Sequence, residues 1–412
     1  MTPTPADTIR ARFSAAMSAM YRDEVPAYAT LMDLVAAVND RVLAADPDLN
    51  ARLVATGELA RISDERHGAI RLGTPAELSM MRRVFAVMGM EPVGYYDLTE
   101  ANVPVHSTAF RPVDAAVALV EKAEAQGGLE DADATRFVAE VLETFRWHDR
   151  ANVSADLYHR LHDAHRLVAD VVSFRGPHIN HLTPRTLDID AVQAGMPAHG
   201  IAPKAVVEGP PTRRCPILLR QTSFKALDEP VAFRQGAAWV QGQHTARFGE
   251  IEQRGIALTP KGRTLYDQLL TAARKLVLPA ADGSNASAYV AALAQVFAAF
   301  PDDWEAIRSQ GLGYFAWSLT DTAKSGHGAL TADQARALGL IRPDPITYED
   351  FLPVSAAGIF QSNLGDDSQQ AFTASPNQRR FETDLGAQVL NEFDHYAGIE
   401  AASLRACLAA LV

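Results

Sequence analysis

The stretch GPHINHLTPRTLDID, residues 176–190, decides how this chain is read. Residues two and four apart on a β-strand share a face. His181, Thr183 and Arg185 therefore stand on one side of the strand that this stretch predicts. An earlier stretch, RHGAIRLGTPAE at residues 66–77, repeats the arrangement with His67, Ala69 and Arg71. A third, FGEIEQRG at residues 248–255, offers two strand carboxylates, Glu250 and Glu252. Two imidazoles and one carboxylate are the ligand set of a mononuclear non-haem iron site with open coordination positions.

Working outward, the first copy continues into a helix. Thr74, Pro75 and Glu77 supply an N-cap, an N1 proline and a capping-box acid. Met80, Met81, Val84, Phe85 and Met88 give that helix an apolar stripe, and Gly89 ends it. Pro92 to Leu98 and Val103 to Phe110 follow as strands, so the predicted order is β-α-β-β. The second copy runs from His181 through a weaker helical stretch, Leu187 to Ala198, and a stop at Gly200 to a strand at Lys204 to Glu208. A proline stands three residues after the stop in both copies, Pro92 and Pro203. This order and spacing predict a diverged internal repeat. Cys215 to Phe224, Val231 to Gln241 and Thr245 to Leu258 read as further strands.

Helical patterns flank and interrupt this region. Ile9, Phe13, Met17 and Met20, then Leu31, Leu34, Val35, Val38 and Val42, recur at helical spacing within residues 1–60, with DPDLN at 46–50 read as a turn. Residues of about 112–175 form a helical insert. His159, His162 and His165 lie there, but six residues of helix is about 600° of rotation, so His159 and His165 do not share a face. Residues 259–412 return to helix and loop. Within them the segment at about 348–365 is either a packed connection or a loop folded over a site. The fold class is α+β, with a helical layer at 1–60, a β-rich metal-binding core at 61–258 and a helical region at 259–412.

Composition narrows the function. The chain of 412 residues is 48% apolar and 21% charged, as suits a globular protein, and its net charge of −12 argues against nucleic acid as a partner. Cys215 and Cys407 have no metal or redox spacing. No membrane span or signal peptide is read, so the expected location is the cytoplasm. Oligomeric state is not fixed by the sequence.

The residues alone leave several roles open. Strand parity does not separate Glu250 from Glu252, and a salt bridge to Arg247 or Arg254 is the ordinary fate of a strand glutamate. His244 lies about 20 Å from Glu250 along a regular strand, so the two do not share a metal. His178, three residues before His181, faces the other way. Arg71 and Arg185 sit about 13 Å of strand from their histidines, a distance that suits docking of a bound acid's carboxylate. For Arg71 an ion pair with Asp64 or Glu65 is the alternative.

HGAIRLGTPAEL, HINHLTPRTLDID, RQTSFKAL, FGEIEQRG and DFLPVSAAGIFQSNLG together resemble the bacterial 2-oxoadipate dioxygenase/decarboxylase family, a divergent branch of the vicinal oxygen chelate superfamily. The resemblance runs from about residue 60 to about residue 370. It implies a core of two repeated β-α-β-β modules forming a half-open β-cradle. It implies Fe(II) held by His67, His181 and Glu250, with substrate contacts from His67, Arg71, Val354 and Ser355. The implied partners are a small 2-oxo acid and dioxygen. The implied reaction gives D-2-hydroxyglutarate and carbon dioxide from 2-oxoadipate, a step of D-lysine catabolism. Two other readings stand beside it. One is a zinc-dependent isomerase or hydrolase of the same superfamily. The other is a non-catalytic binding protein for an acidic metabolite.

Overall fold

Amphipathic helices cover one side of the sheet region. In the computed structural model, helix α1 (Ala6–Glu24) buries Ile9, Met17, Met20 and Tyr21, and α2 (Pro26–Ala45) buries Leu31, Leu34, Val35 and Val38. The structure describes residues 4–64, 66–97, 106–112, 129–164, 166–174, 179–225, 228–236, 238–245, 248–280, 283–350 and 376–412. Some side chains within these ranges, those of His67 and His181 among them, lie outside the described set.

The turn expected at DPDLN is instead the start of a helix, α3 (Pro47–Ala55). Asp46 accepts a hydrogen bond from the Leu49 amide at 2.9 Å, and Pro47 opens the first turn. Asp-Pro is turn chemistry and helix-cap chemistry at once, so the sequence signal was ambiguous. Helix α4 (Glu58–Asp64) follows.

The β-α-β-β order of the first copy is present. Strand β1 (Arg66–Ile70) leads into α5 (Pro75–Val87), then β2 (Met90–Asp97) and β3 (His106–Pro112). Thr74 and Glu77 close a reciprocal capping box, and Gly89 follows the helix at φ 68°. The insert folds as α6 (Asp131–Phe145), α7 (Ala155–Ala164) and α8 (Arg166–Ser173).

The second copy begins as expected with β4 (Ile179–Pro184), α9 (Ile189–Gly195) and a 3-10 turn at Met196–His199 that ends at Gly200, φ 73°. It then departs. Residues 204–208 form no regular strand; they run beside β5 (Leu219–Ser223) and bond it at intervals, Lys204 N to Ser223 O at 2.9 Å and Glu208 N to Gln221 O at 2.7 Å. The long strand expected over Val231 to Gln241 is a hairpin, β6 (Asp228–Gln235) and β7 (Ala238–Thr245), turned at Gly236 with φ 60°. The strand expected over Thr245 to Leu258 shrinks to β8 (Glu250–Arg254).

The C-terminal region holds α10 (Pro260–Leu276), α11 (Ala286–Phe297), α12 (Trp304–Ser309), β9 (Phe315–Leu319), α13 (Ala332–Ala337), β10 (Ile341–Pro345), α14 (Pro376–Leu385) and α15 (Glu392–Leu411). Small antiparallel pairs combined with many helices make this an α+β protein.

Three strands matter most. Strand β1 pairs antiparallel with β4, setting His67 opposite Thr183 and Gly68 opposite Leu182. Beyond Pro184 the β4 chain runs parallel to β8 through an Arg185–Glu252 bridge, with Thr186 N bonding Glu252 O at 2.7 Å. Strand β8 pairs antiparallel with β5. The order β1-β4-β8-β5 thus makes neighbours of the strands that carry His67, His181 and Glu250. One apolar core joins α1, α2 and α5 to Ile179, Leu182 and Ile251 of these strands. A second gathers Ile217, Leu219 and Ile256 with the C-terminal helices, and a third lies between the insert and β6. Among the described residues no helix is long and apolar enough to cross a membrane.

Candidate active site

FGEIEQRG is pinned at both of its glycines. A Cβ on Gly249 would sit 2.3 Å from the Phe224 ring, and one on Gly255 would sit 2.2 Å from the Pro216 backbone. Only hydrogen lets β8 lie this close to its neighbours. The fit fixes where the two acids between them stand.

Those acids, inseparable by parity, have different surroundings. Glu252 takes the salt bridge: Arg254 Nε lies 2.5 Å from one of its oxygens and Nη2 lies 3.0 Å from the other. Glu250, 1% exposed, accepts hydrogen bonds from the Gln221 side-chain amide and from Thr183 Oγ1, the latter at 3.3 Å. Thr183 is both the register partner of His67 and the second residue after His181. Directly opposed residues of an antiparallel pair have Cβ atoms about 4.5–5.5 Å apart, and residues two apart on a strand are about 6.6 Å apart. The Glu250 carboxylate therefore lies within side-chain reach of both histidine positions. The two imidazoles themselves lie outside the described side chains.

Around this point is a cavity of about 1750 Å3, lined by Ile70, Arg71, Ile179, Leu182, Gln221 and Glu250 among others. Its volume exceeds the roughly 300–1,000 Å3 of an ordinary small-molecule site. Close by, burial pushes the Lys204 ammonium down to about 7 and the Glu208 carboxyl up to about 8, and the charge of Glu250 acts on both.

The arginines of the motifs have found acids far away in sequence. Arg185 bonds Glu58 at 2.8 Å and lies 3.4 Å from the Thr347 hydroxyl. Arg71 bonds Asp170 of α8; the side chains of Asp64 and Glu65, the alternative partners, lie outside the described set. Asp170, Glu58, Gln221 and Thr183 went unassigned at the sequence level. Thr183 shares the strand face of His181, and Asp170 is a lone acid in the apolar run LVADVVSF, so both left a local trace. Gln221 lies in the RQTSFKAL stretch with nothing to mark its role, and Glu58 left no trace. His244 does not extend the β8 strand as expected; it ends β7 in a separate aromatic box, 3.0 Å from Asp170. Val354, Ser355 and His178 lie outside the described residues, as does His165 of the insert. His159 is exposed.

Comparison with known proteins adds what geometry alone does not. A sequence-family model described as 2-oxoadipate dioxygenase/decarboxylase matches residues 13–118 and 113–363. A 2-oxoadipate dioxygenase/decarboxylase of Pseudomonas putida is 53% identical, over 98% of this chain and 97% of the relative. One from Escherichia coli is 50% identical, over 98% of each chain. The crystal structure of a hydroxyglutarate synthase from Pseudomonas putida in complex with 2-oxoadipate superposes with a TM-score of 0.89 at 50% identity, covering 99% of both chains.

Proposed function

This chain belongs to the 2-oxoadipate dioxygenase/decarboxylase family, and from that premise we infer that it converts 2-oxoadipate and dioxygen to D-2-hydroxyglutarate and carbon dioxide, with Fe(II) as its working metal. The balance closes without another reductant: the six-carbon 2-oxo diacid loses its C1 carboxyl as carbon dioxide, and the five-carbon product keeps a new carboxyl and hydroxyl. His67, His181 and Glu250 are the proposed iron ligands. Arg71 is the proposed contact for a substrate carboxylate, and Val354 and Ser355 are proposed to close over the substrate. The chain organisation proposed with this reading is a core of two β-α-β-β modules at 61–258, a half-open cradle of the vicinal oxygen chelate kind.

One observation carries the assignment. The buried Glu250 carboxylate is bonded by the residue that faces His67 across the strand pair and follows His181 by two. Two of its donors, the Thr183 hydroxyl and the Gln221 amide, are neutral, and metal-binding carboxylates are commonly held by such partners. The donor set fits ferrous iron, since two imidazoles and a carboxylate leave positions for substrate and dioxygen. Bound there, Fe(II) would supply the redox chemistry and dioxygen activation that side chains lack. The chain's own residues do the rest. Arg71 offers a planar cation to a carboxylate, and Ile70, Ile179 and Leu182 give the cavity an apolar wall that limits water.

The test is the stoichiometry of the iron-loaded protein. With 2-oxoadipate it is expected to consume oxygen and release carbon dioxide in equal amounts, and the zinc-loaded protein to do neither. Turnover by the zinc form under nitrogen would instead select the isomerase or hydrolase reading, and saturable binding without turnover the binding-protein reading.

A further inference from the structure

We propose that Asp170, His244 and Tyr158 form a buried relay of positioning residues that fixes the Arg71 guanidinium and so sets the affinity for the substrate's carboxylate. This deepens the reading of Arg71 given above and rests on it.

Arg71 follows β1 at the cavity wall with its side chain 21% exposed. It donates from Nη1 to Oδ2 of Asp170, which is 1% exposed on α8. The other carboxylate oxygen, Oδ1, lies 3.0 Å from Nε2 of His244 at the end of β7. Nδ1 of His244 lies 2.7 Å from the hydroxyl of Tyr158 on α7. His244 is 2% exposed and Tyr158 is 3% exposed. An ionised carboxylate only accepts, so Nε2 carries the proton that joins His244 to Asp170. In the neutral imidazole Nδ1 then accepts from the Tyr158 O–H. The bonds thus run in one direction, from tyrosine to histidine to aspartate, and the aspartate receives the arginine from its other side.

Packing fixes the imidazole plane. The Trp147 ring stacks on His244 at 5.5 Å with 4° between planes, and Phe174 covers it at 4.3 Å. Tyr158, Phe174 and Phe233 belong to the apolar core shared by the insert and the β6–β7 hairpin. The insert therefore reaches the Arg71 side chain through the Asp170 carboxylate, and Val171 of the same helix lines the cavity. A buried ion pair is poor value for stability alone, because desolvation opposes it. Its gain here is orientation. With one N–H on Asp170, the guanidinium has further donors for an incoming carboxylate, and holding it still lowers the entropy lost on binding.

The experiment uses the full-length, iron-loaded protein. It reads 2-oxoadipate binding by anaerobic calorimetry and turnover by oxygen uptake for Asp170→Asn, His244→Gln, Tyr158→Phe, Arg71→Met and the Arg71→Met/Asp170→Asn double variant. Asp170→Asn is expected to raise Kd and KM about tenfold or more, the scale of a charge-assisted hydrogen bond, while kcat stays within about twofold. His244→Gln and Tyr158→Phe are expected to move the same constants in the same direction by smaller factors. In the Arg71→Met background the Asp170 change is expected to add nothing, because it acts through Arg71. Additive losses, or a fall in kcat with KM unchanged, would overturn the relay. Should Asp170→Asn fail to fold, an unchanged KM in both His244→Gln and Tyr158→Phe would overturn it. Unchanged Kd in Arg71→Met would instead sink the underlying reading of Arg71.

Discussion

Glu250 and Glu252 stand two residues apart on β8, and their fates are set by what approaches from elsewhere. Glu252 is bound through both oxygens by Arg254, whereas Glu250 is bonded by Gln221 and Thr183. Parity placed both on one face, and only the fold shows that the Gln221 amide, from the position opposite Glu252, and the Thr183 hydroxyl bond Glu250. Another carboxyl shows how strongly burial acts here. Glu392, 6% exposed at the start of α15, has its pKa pushed up to about 7, first by burial and then by the charge of Asp350. Between the unfolded value of 4.5 and about 7, the folded chain holds a proton that the unfolded chain has released. Folded protein then binds more protons, so this group's contribution to stability falls as pH rises through that window and levels off above it. Urea unfolding between pH 5 and pH 8 is expected to show wild type losing stability relative to Glu392→Gln as pH rises. A pH-independent difference between the two would contradict the assignment.

At the scale of elements, local chemistry was legible where one stretch carried the whole signal. Thr74, Pro75 and Glu77 announced α5, and Thr74 Oγ1 accepts from Glu77 N at 3.2 Å as the pattern requires. Thr74→Ala is expected to lower stability by about 1 kcal/mol, read as a shift in the urea midpoint at unchanged slope. No shift would mean that the cap contributes nothing to the fold. Legibility failed where a strand needed a partner. Residues 204–208 have strand-like composition but follow Pro203, which lacks an amide hydrogen, and they bond β5 only at intervals. Gly236 sits inside an alternating run that reads as one strand, yet it turns the chain into a hairpin. A lone glycine in a strand pattern is ambiguous between bulge and turn, and pairing across the hairpin resolves it.

At the scale of the molecule, buried ionic contacts tie distant parts of the chain to the cavity wall. Arg111 of β3 bonds both oxygens of Asp350 at 2.9 and 2.8 Å, and the Tyr396 hydroxyl of α15 bonds the same carboxylate at 2.8 Å. Arg185, Glu58 and Thr347 join the residue after β4, helix α4 and the stretch after β10. None of these pairs has a sequence signature, because periodicity reports which face an element buries and not what covers it. The motif histidines and Glu250 were nevertheless legible as candidates, because strand parity and repetition are local. Their neighbourhood on β1, β4 and β8 is what the fold adds.

The central claim is that these three strands hold a single ion. Anaerobic titration of metal-free protein with Fe(II) tests it most directly, comparing wild type with His67→Ala, His181→Ala, Glu250→Ala and Glu252→Gln. The account predicts one tightly bound iron per chain in wild type and Glu252→Gln, and loss of tight binding in each of the other three. Stoichiometric binding that survives Glu250→Ala, or that is lost in Glu252→Gln with the fold intact, would contradict it.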